Sequence, residues 1–315
     1  MYEDPRVASL ALQGHVQALD VFRTGLAAGR LAHAWLITGP PGIGKATFAF
    51  RVARIILGGE APQSPAGRRI TAATHADLLV VGRGFDEKKQ RYRGEIVADD
   101  VRPINAFLRR TAAEGGWRVV LVDGAEWLNR SAANALLKIL EEPPPEAVLL
   151  LTSSAPGRLL PTIRSRCRRL DLAPLPSACV QSIVMGAAPD LDPAELQRCL
   201  AGANGSAGRA FALLADEGGR MAGLVEKVLA GQSVSQSYAT AEAVLRKDEG
   251  FNLFFSLLSD ALQERARGAA RQGLGVSVVF AQAWEAIMRL QAETERFNLD
   301  KQETLLEAMT IASKA

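Results

Sequence analysis

Five short apolar runs alternate with helix-period patterns over the first half of the chain. A run of four to eight apolar residues between turn signals is typical of a buried strand, and strands that alternate with helices are typical of a parallel sheet. The pattern therefore predicts an α/β domain with a five-stranded parallel sheet. The predicted strands cover residues 34–38, 77–81, 118–122, 147–152 and 168–172.

Amphipathic helices are predicted between these strands. After the first run, apolar residues recur at three- and four-residue spacings, as they do on one face of a helix: Phe48, Val52, Ile55 and Ile56. Asp99 and Asp100 are candidate caps for a second helix, which carries Val101, Ile104, Phe107 and Leu108. Ser131 is the candidate cap of a third helix over residues 132–140, which the prolines at 143–145 end.

Two segments of the first half show neither the strand pattern nor the helix pattern. Residues 58–74 are rich in Gly, Pro, Ala and Ser, and this composition predicts a loop. Residues 83–93 are densely charged and flanked by glycine, so they are predicted to form an exposed hairpin or loop.

The second half of the chain shows helical patterns and no convincing strand. Composition changes near Pro174 and Pro176, and the helical patterns lengthen after Gly218 and Gly219. The longer patterns carry apolar residues at helical spacings: Phe251, Phe254, Phe255, Leu258 and Leu262, then less regularly Val279, Trp284, Ile287 and Leu290. Three domains are predicted: an α/β domain over 1–172, a small helical lid over 173–232 and a helical domain over 233–315.

Composition narrows the class of protein. The chain has 315 residues, of which 48% are apolar, and no stretch of 18 uncharged apolar residues appears, so no membrane span is expected. The N-terminal sequence lacks a basic-then-apolar signal, and a cytoplasmic location is predicted. Cys167, Cys179 and Cys199 have no C-x-x-C spacing, which favours neither a disulfide framework nor a zinc site. The net charge of +3 is too small to indicate nucleic-acid binding, so any DNA contact must come from local patches.

Residues 39–47, Gly-Pro-Pro-Gly-Ile-Gly-Lys-Ala-Thr, form an incomplete phosphate-binding loop. The pattern requires Gly, four residues, Gly, Lys and then Ser or Thr, and Ala46 stands where the hydroxyl should be. The loop follows a predicted strand and opens a predicted helix, where backbone N–H groups form an anion nest and Lys45 adds a positive charge. The predicted phosphate cradle consists of Gly39, Gly42, Gly44 and Lys45.

The missing hydroxyl matters because it normally ligates Mg²⁺ beside the β- and γ-phosphates. Thr47 lies in the same site but one position late, and one residue turns a helix by about 100°, so its hydroxyl is expected to point away from the metal. The alternative interpretation is a vestigial loop that binds nothing. ATP or ADP with magnesium is the predicted ligand, bound weakly if at all.

A second group needed for hydrolysis is also missing. The apolar run at 118–122 ends in Asp123, which could hold Mg²⁺ through water or simply cap the next turn. In ATPases with this arrangement a glutamate usually follows and polarises the attacking water, but here the next residue is Gly124. Glu126 lies too far along the chain to be assigned that role. The sequence therefore predicts a nucleotide fold without two groups that hydrolysis requires.

A basic run lies at Arg164, Arg166, Arg168 and Arg169. For three of the four a solvated surface is the expected role, and Arg166 differs because of its neighbours. Four stretches together resemble the bacterial clamp-loader subunits of the AAA+ superfamily: His33-Ala34-Trp35-Leu36, the phosphate-binding loop at 39–47, residues 134–144 (NALLKILEEPP) and residues 162–167 (TIRSRC). The resemblance covers residues 14–172, and the C-terminal half is similar only in its helical character and in details such as residues 297–301.

The resemblance implies roles for particular residues. Arg166 would be an arginine finger that reaches into the ATP site of a neighbouring gamma/tau subunit. Ser153 or Ser154 stands where the family has a small polar residue that senses the γ-phosphate, and either could be that sensor. Arg209 resembles the second sensor of the lid domain, although the spacing is one residue longer than in the hydrolysing subunits.

Two departures place the chain within the family. Many members carry a four-cysteine zinc module after the first helix, but residues 58–74 contain no cysteine, so no zinc is predicted. Ala46 and Gly124 favour the type of subunit that does not hydrolyse ATP over the hydrolysing gamma/tau type.

The implied function is an accessory, non-catalytic subunit of the DNA polymerase III holoenzyme that helps load the beta sliding clamp onto primed DNA. Its implied partners are the gamma/tau and delta subunits, in a hetero-oligomer that the C-terminal domain holds together. Two alternatives stay open: an ATP-hydrolysing motor of the same fold, and a nucleotide-gated DNA-binding scaffold outside the clamp loader.

Overall fold

The computed structural model describes residues 4–86, 91–114, 116–216, 219–247, 250–273, 275–297 and 299–315. The chain divides into two compact units, Met1–Phe211 and Ala212–Ala315. The division into three domains with boundaries near 173 and 232 stays a prediction.

A five-stranded parallel sheet forms the centre of the first unit and confirms the predicted fold class. The strands of the chain are β1 (Ala34–Thr38), β2 (Leu78–Val81), β3 (Phe85–Asp86), β4 (Arg91–Tyr92), β5 (Arg118–Val122), β6 (Ala147–Ser153) and β7 (Arg168–Asp171). The order in the sheet is β2-β5-β6-β1-β7, so the strand that precedes the phosphate loop is internal. β3 and β4 form a separate antiparallel pair, with Phe85 opposite Tyr92. Residues 87–90 of the predicted hairpin lie outside the described residues.

Alternation along each strand separates two hydrophobic layers. Leu36 of β1 and Val120 of β5 belong to one buried cluster, whereas their neighbours Trp35 and Val119 belong to the other. Successive side chains of a strand point to opposite faces, so a strand buried on both faces is apolar throughout. The continuous apolar runs of the sequence are therefore explained by helices on both sides of the sheet.

Ten helices begin in the first unit, as far as its described residues show: α1 (Pro5–Ala8), α2 (Val16–Ala27), α3 (Lys45–Ile56), α4 (Pro65–Thr71), α5 (Ala98–Arg109), α6 (Arg130–Glu141), α7 (Pro161–Arg164), α8 (Ser177–Ala187), α9 (Pro193–Ala203) and α10 (Ala207–Leu214). The last of them crosses the boundary between the units. Helix α3 follows the phosphate loop and buries the predicted apolar residues.

The predicted loop over residues 58–74 is wrong, because it contains α4. The Ser64 hydroxyl accepts a hydrogen bond from the N–H of Gly67 at 3.0 Å, and Pro65 occupies the first helical position. Serine at the cap and proline at the next position are favoured at helix starts, and this local signal outweighs the loop-like composition of the segment.

Two predicted caps also differ from those observed. Helix α5 begins at Ala98, before the predicted caps, and the Asp100 carboxylate accepts a hydrogen bond from the N–H of Val97 at 2.9 Å. Helix α6 is capped by Asn129, whose side chain accepts from the N–H of Ala132 at 2.9 Å, and not by Ser131. Both differences are short shifts along the chain, and the helices themselves are as predicted.

Arg54 of α3 is completely buried and joins the N-terminal residues to the helix after the phosphate loop. Its guanidinium donates to the hydroxyls of Ser9 and Thr71, both at 2.8 Å. It also donates to the backbone carbonyls of Arg6, Gly59 and Gly67 at 2.8–3.2 Å. All of these acceptors are neutral, so hydrogen bonds compensate the buried charge without a carboxylate.

The second unit is helical in its described residues, with α11 (Arg220–Leu229), α12 (Val234–Leu245), α13 (Gly250–Arg271), α14 (Ser277–Phe297) and α15 (Lys301–Ser313). The predicted apolar face of α13 is buried, and it packs in one cluster with Met221, Val225 and Val228 of α11. Within α14, Ile287 is fully buried but Val279 is 41% exposed, so the less regular pattern of this helix is only partly a core pattern. No helix in the described parts of the chain is both long and apolar enough to span a membrane.

Candidate nucleotide-binding site

The phosphate loop connects β1 to α3, and its backbone requires glycine. Gly39 and Gly42 have φ angles of 151° and 71°. A Cβ atom at Gly39 would lie 2.6 Å from the carbonyl oxygen of Leu172, and one at Gly42 would lie 2.5 Å from Oγ of Ser206. The predicted cradle therefore has the conformation that its glycines indicate.

Lys45 folds back over the loop that it was predicted to serve. Its ammonium donates to the carbonyl of Gly39 at 3.0 Å and to that of Pro40 at 2.7 Å. Burial lowers the pKa of Lys45 to about 8, and the negative charges of Glu126 and Asp123 act in the opposite direction. Lys45 is therefore near the two carboxylates at the end of β5, and its ammonium loses its proton at a lower pH than that of an exposed lysine.

The start of α10 holds the next part of the loop. The Ser206 hydroxyl donates to the carbonyl of Pro41 at 3.0 Å, and the N–H of Gly208 donates to the carbonyl of Gly42 at 2.9 Å. The carbonyls of Pro41 and Gly42 are thus already hydrogen-bonded to residues at the start of α10. The backbone N–H groups of the loop would bind an incoming phosphate, as in other anion nests.

His15 completes this set of contacts. Its Nε2 atom lies 3.2 Å from the carbonyl oxygen of Ile43, and burial lowers the pKa of its imidazole. Neither His15 nor Ser206 was recognised from the sequence. Ser206 is 165 residues from its partner Pro41, and no local pattern indicates such a contact.

The structure shows the same two gaps as the sequence, namely no hydroxyl at position 46 and no carboxylate at position 124. Ala46 presents only a methyl group, and Thr47 lies one residue further along α3. Gly124 has a φ of 77°, and a Cβ atom there would lie 2.7 Å from Cδ1 of Trp127. The indole thus fills the space into which a side chain at 124 would project.

Asp123 already belongs to an internal network. Its carboxylate accepts from the Thr152 hydroxyl at 2.6 Å, and the same hydroxyl accepts from the N–H of Gly124 at 2.9 Å. Asp123 is an exposed residue at the strand end, and its carboxylate helps to order the following turn. Its role in holding Mg²⁺ stays a prediction.

The two sensor candidates differ in accessibility. Ser153 is buried at the end of β6, where its hydroxyl accepts from the N–H of Ala155 at 3.2 Å. Ser154 is exposed, and its N–H donates to the Glu126 carboxylate at 2.9 Å. Both lie at the carboxyl end of a strand that pairs with β1, and the choice between them stays open.

Arg209 lies in the first turn of α10, with its N–H donating to the Ser206 hydroxyl at 3.1 Å. The phosphate loop and Arg209 therefore meet at the start of one helix, where a Cβ at Gly42 would be 3.4 Å from the Arg209 nitrogen. The longer spacing noted in the sequence does not separate Arg209 from the loop.

Arg166 lies after α7 and contacts residues other than the loop. Its Nη1 donates to the carbonyl of Thr162 at 3.1 Å, and its Nη2 lies 2.9 Å from a carboxylate oxygen of Glu141. The side chain is 36% exposed. Of the other basic residues in the run, Arg168 stacks 4.8 Å from the Trp35 ring centre and Arg169 pairs with Asp171 at 2.8 Å.

Metal ligands are not assembled around the site. Among the described residues, no group of three or more His, Cys, Asp or Glu side chains is placed to hold a metal ion. The prediction that the chain binds no zinc is left as a prediction.

The lowered pKa of Lys45 has a testable consequence for ligand binding. Because the charged form is lost as the pH rises through about 8, phosphate affinity should fall by about tenfold between pH 7 and pH 9. The same group makes the folded chain more stable as the pH rises from about 8 to 10.5, because the unfolded chain still binds the proton there. Calorimetric titration with ADP at both pH values measures the first effect. Lys45→Arg keeps its charge at pH 9 and should remove the dependence, and an equal pH response in that variant would contradict the assignment.

The sheet order and the glycine loop between β1 and α3 define the class of protein: a P-loop domain of the AAA+ type. The sequence model described as "DNA polymerase III, delta subunit" matches residues 14–176, and the chain belongs to this family.

Individual relatives support this family. The DNA polymerase III subunit delta' of Pseudomonas aeruginosa is 42% identical over 56% of this chain and 53% of its own length. The subunit of the same name from Escherichia coli is 32% identical over 78% of this chain and 73% of its own. The matched part of the chain thus spans about half the length of the first relative and about three quarters of the second.

More distant similarities extend to other subunits. The DNA polymerase III subunit gamma/tau of Mycobacterium tuberculosis is 30% identical over 58% of this chain and 31% of its own length. A solved structure of a DNA polymerase III gamma subunit-related protein from Thermotoga maritima covers 93% of this chain and 98% of its own, with 19% identity and a TM-score of 0.48.

Proposed function

We propose that this chain is the delta-prime subunit of a bacterial clamp loader and that it performs no ATP hydrolysis itself. The observation that carries the proposal is the combination of a preserved phosphate loop with Ala46 and Gly124 in place of the two catalytic groups. The similarity to the delta' subunits of Pseudomonas aeruginosa and Escherichia coli supports it. Its role is to help place the beta sliding clamp on primed DNA together with gamma/tau and delta subunits.

Hydrolysis is disfavoured for electrostatic and geometric reasons. Phosphoryl transfer depends on a metal held beside the β- and γ-phosphates and on an oriented water molecule. The methyl group of Ala46 cannot ligate a metal, and Gly124 cannot orient a water. Of the two carboxylates near Lys45, Asp123 is engaged by the Thr152 hydroxyl at 2.6 Å and Glu126 by the N–H of Ser154 at 2.9 Å.

The isolated chain is therefore expected to hydrolyse ATP no faster than a buffer control. Gly124→Glu combined with Ala46→Thr should not restore turnover, because a side chain at 124 meets the Trp127 indole at 2.7 Å. Phosphate release measured with and without clamp and DNA tests both statements. Turnover that Lys45→Ala abolishes would assign the chain to the hydrolysing motors instead.

Nucleotide binding is proposed to persist in weakened form. The loop N–H groups and Lys45 supply phosphate contacts, whereas the ammonium must first leave the carbonyls of Gly39 and Pro40. This exchange of hydrogen bonds reduces the net gain of binding. The ligand would be ATP or ADP with magnesium, without zinc.

Arg166 is proposed to act on a neighbouring subunit. It contacts Glu141 and Thr162 rather than the phosphate loop of its own chain, and its guanidinium is partly exposed. A planar guanidinium can bind two phosphate oxygens at once, which suits a finger offered in trans to a gamma/tau site.

The second unit is proposed to hold the subunit in the complex. Apolar side chains remain exposed near and in α14: Val276 at 48%, Val278 at 57% and Met288 at 39%. These side chains are the candidate contact surface for the neighbouring subunits.

Removing the second unit should therefore abolish assembly. A chain that ends at Leu214 is expected to stay monodisperse but not to co-elute with gamma/tau and delta. A chain that ends at 232 should aggregate, because it keeps the apolar residues of α11 without their partners in α13. Size-exclusion chromatography of both, alone and with the partner subunits, measures this. Co-elution of the shorter chain would place the assembly surface in the first unit.

Reconstitution tests the proposed function as a whole. The full chain should be required for loading of the clamp by gamma/tau and delta. A complex that loads clamps equally well without it would favour a role as a nucleotide-gated scaffold outside the clamp loader.

A further inference from the structure

Five side chains at one edge of the sheet form a ladder in which arginine and aromatic groups alternate for most of its length. We define it as the cation–aromatic ladder, with the members Arg158, Trp127, Arg83, Tyr92 and Phe85. The guanidinium carbons of Arg158 and Arg83 lie 5.3 and 4.3 Å from the Trp127 ring centre. The Arg83 carbon is also 5.7 Å from the Tyr92 ring, which meets the Phe85 ring edge to face at 5.3 Å.

The fold brings these residues together from three segments of chain. Arg83 follows β2, Trp127 closes the 3-10 turn Ala125–Trp127 after β5, and Arg158 closes the 3-10 turn Pro156–Arg158 after β6. The three strands are neighbours in the sheet, so their carboxyl ends meet at one edge.

The outer end of the ladder is open to solvent. Phe85 is 50% exposed and Tyr92 is 61% exposed. The backbone that carries both rings is tied to the rest of the unit, because β3 pairs with β4 and because Arg93 pairs with Asp100 of α5 at 2.8 Å. Two aromatic rings in contact with each other, one of them beside the Arg83 guanidinium, therefore face solvent. A backbone that already holds them next to each other reduces the entropic cost of binding a ligand.

The local sequence adds positive charge. Arg or Lys occupies positions 83, 88, 89, 91 and 93, and Asp or Glu occupies only 86 and 87. The basic excess of this stretch is as large as that of the whole chain. Residues 87–90 lie outside the described part of the chain, so this excess is a property of the sequence alone. A local excess of positive charge is what DNA binding requires of a chain with so small a net charge.

We propose that the cation–aromatic ladder binds single-stranded DNA, with bases stacked on Tyr92 and Phe85 and a phosphate held by Arg83. Aromatic rings accept any base because every base has a π-face, and each stacked base contributes about 1–3 kcal/mol. The source of the strand, the single-stranded part of primed DNA, rests on the proposed function. Binding by the isolated chain does not depend on that function.

Packing against another protein is the competing use of such a surface, since aromatic residues and arginine also dominate protein interfaces. Single-stranded DNA fits better because the ladder offers stacking faces and cations in alternation, beside a stretch with a basic excess. The experiment separates the two uses.

The test measures binding of a labelled thymidine oligomer to the full chain by fluorescence anisotropy. The double variant Phe85→Ser and Tyr92→Ser should bind about tenfold or more weakly than the unchanged chain. Tyr238→Ser is the matched control, because Tyr238 is 51% exposed in the second unit and should have no effect. Tyr92→Phe keeps the stacking face and should keep the affinity.

A charge variant keeps the test decisive if the double variant folds poorly. Arg83→Gln should weaken binding and reduce the slope of affinity against salt by about one, as loss of a phosphate contact requires. Arg102→Gln makes the same change of charge at a side chain that is 78% exposed, and it should do much less.

The outcomes are distinct from those that test the proposed function. Equal affinity in the ladder variants and the controls overturns the ladder proposal, whatever the assembly result. Loss of co-elution with gamma/tau and delta in the ladder variants overturns it in favour of a protein interface. Weaker DNA binding with normal co-elution supports it, and a failure of even the unchanged chain to co-elute would count against the clamp-loader function alone.

Discussion

Replacing Arg166 by alanine is expected to slow ATP turnover at the neighbouring subunit's site by about 10³–10⁵, while this chain still folds and assembles. The departing γ-phosphoryl group spreads negative charge over its oxygens, and a guanidinium supplied in trans stabilises that charge. An ammonium cannot bind two oxygens in this way, so Arg166→Lys should recover only part of the rate.

The surroundings of Arg166 explain why folding should survive the change. The side chain is 36% exposed, and its ion pair with Glu141 joins two partly exposed groups. Such pairs contribute about 0–1 kcal/mol to stability. The loss of rate would therefore reflect the missing charge at the neighbouring site and not a damaged subunit.

The measurement is the clamp- and DNA-stimulated ATPase rate of the reconstituted complex, with clamp loading followed in parallel. Arg168→Ala and Arg169→Ala are matched controls from the same basic run, and both contact their own chain at Trp35 and Asp171. Equal and small effects from all three substitutions would show that Arg166 is an ordinary surface residue.

Replacing Arg54 by methionine is expected to destabilise the first unit by about 3 kcal/mol or more. The substitution leaves buried hydroxyl and carbonyl groups without a donor, and each such group costs roughly 1–3 kcal/mol. The gain from removing a buried charge offsets part of this cost. For a unit of this size, the melting temperature should fall by roughly 6–12 °C.

Arg51→Met is the matched control for this prediction. Arg51 lies one turn earlier on α3 and pairs with Glu60 at 3.1 Å, and the two side chains are 18% and 43% exposed, whereas Arg54 is completely buried. Its loss should change stability by less than about 1 kcal/mol. Thermal unfolding followed by circular dichroism compares the two variants, and similar melting temperatures would mean that water replaces the guanidinium without cost.

Strands and apolar helix faces could be predicted from the sequence because each depends on a regular local pattern. The runs at 34–38 and 118–122 coincide with β1 and β5, and the spacing of Phe48 and Val52 correctly indicated the buried side of α3. Helix starts were less predictable, because neighbouring polar residues compete for the same capping role. Asn129 caps α6 although Ser131 lies only two residues away.

The glycine loop could be recognised from the sequence, but the groups that hold it could not. Ser206 and Gly208 contact the loop across more than 160 residues, and only the folded chain brings them there. The ladder was missed for the same reason. Arg83, Trp127 and Arg158 belong to separate segments, and single arginines and tryptophans carry no periodic signal.

The proposed role of Arg166 involves a second subunit, so a single chain cannot display it. The structure gives its contacts with Thr162 and Glu141, and a finger acts on a nucleotide held by another subunit. The family resemblance of residues 162–167 supplied that prediction, and assembly is needed to test it.

The crowding around Gly124 also bears on how this subunit can evolve. A glutamate at 124 would need a strained backbone and the space now filled by Trp127. Replacing Trp127 by a smaller residue would also remove the ring on which Arg83 and Arg158 both stack. A carboxylate at 124 would thus require further substitutions around it, in addition to a hydroxyl at position 46. Under the proposed function, these linked contacts would make the lack of hydrolysis hard to reverse, and the subunit would stay dependent on the ATP sites of its neighbours.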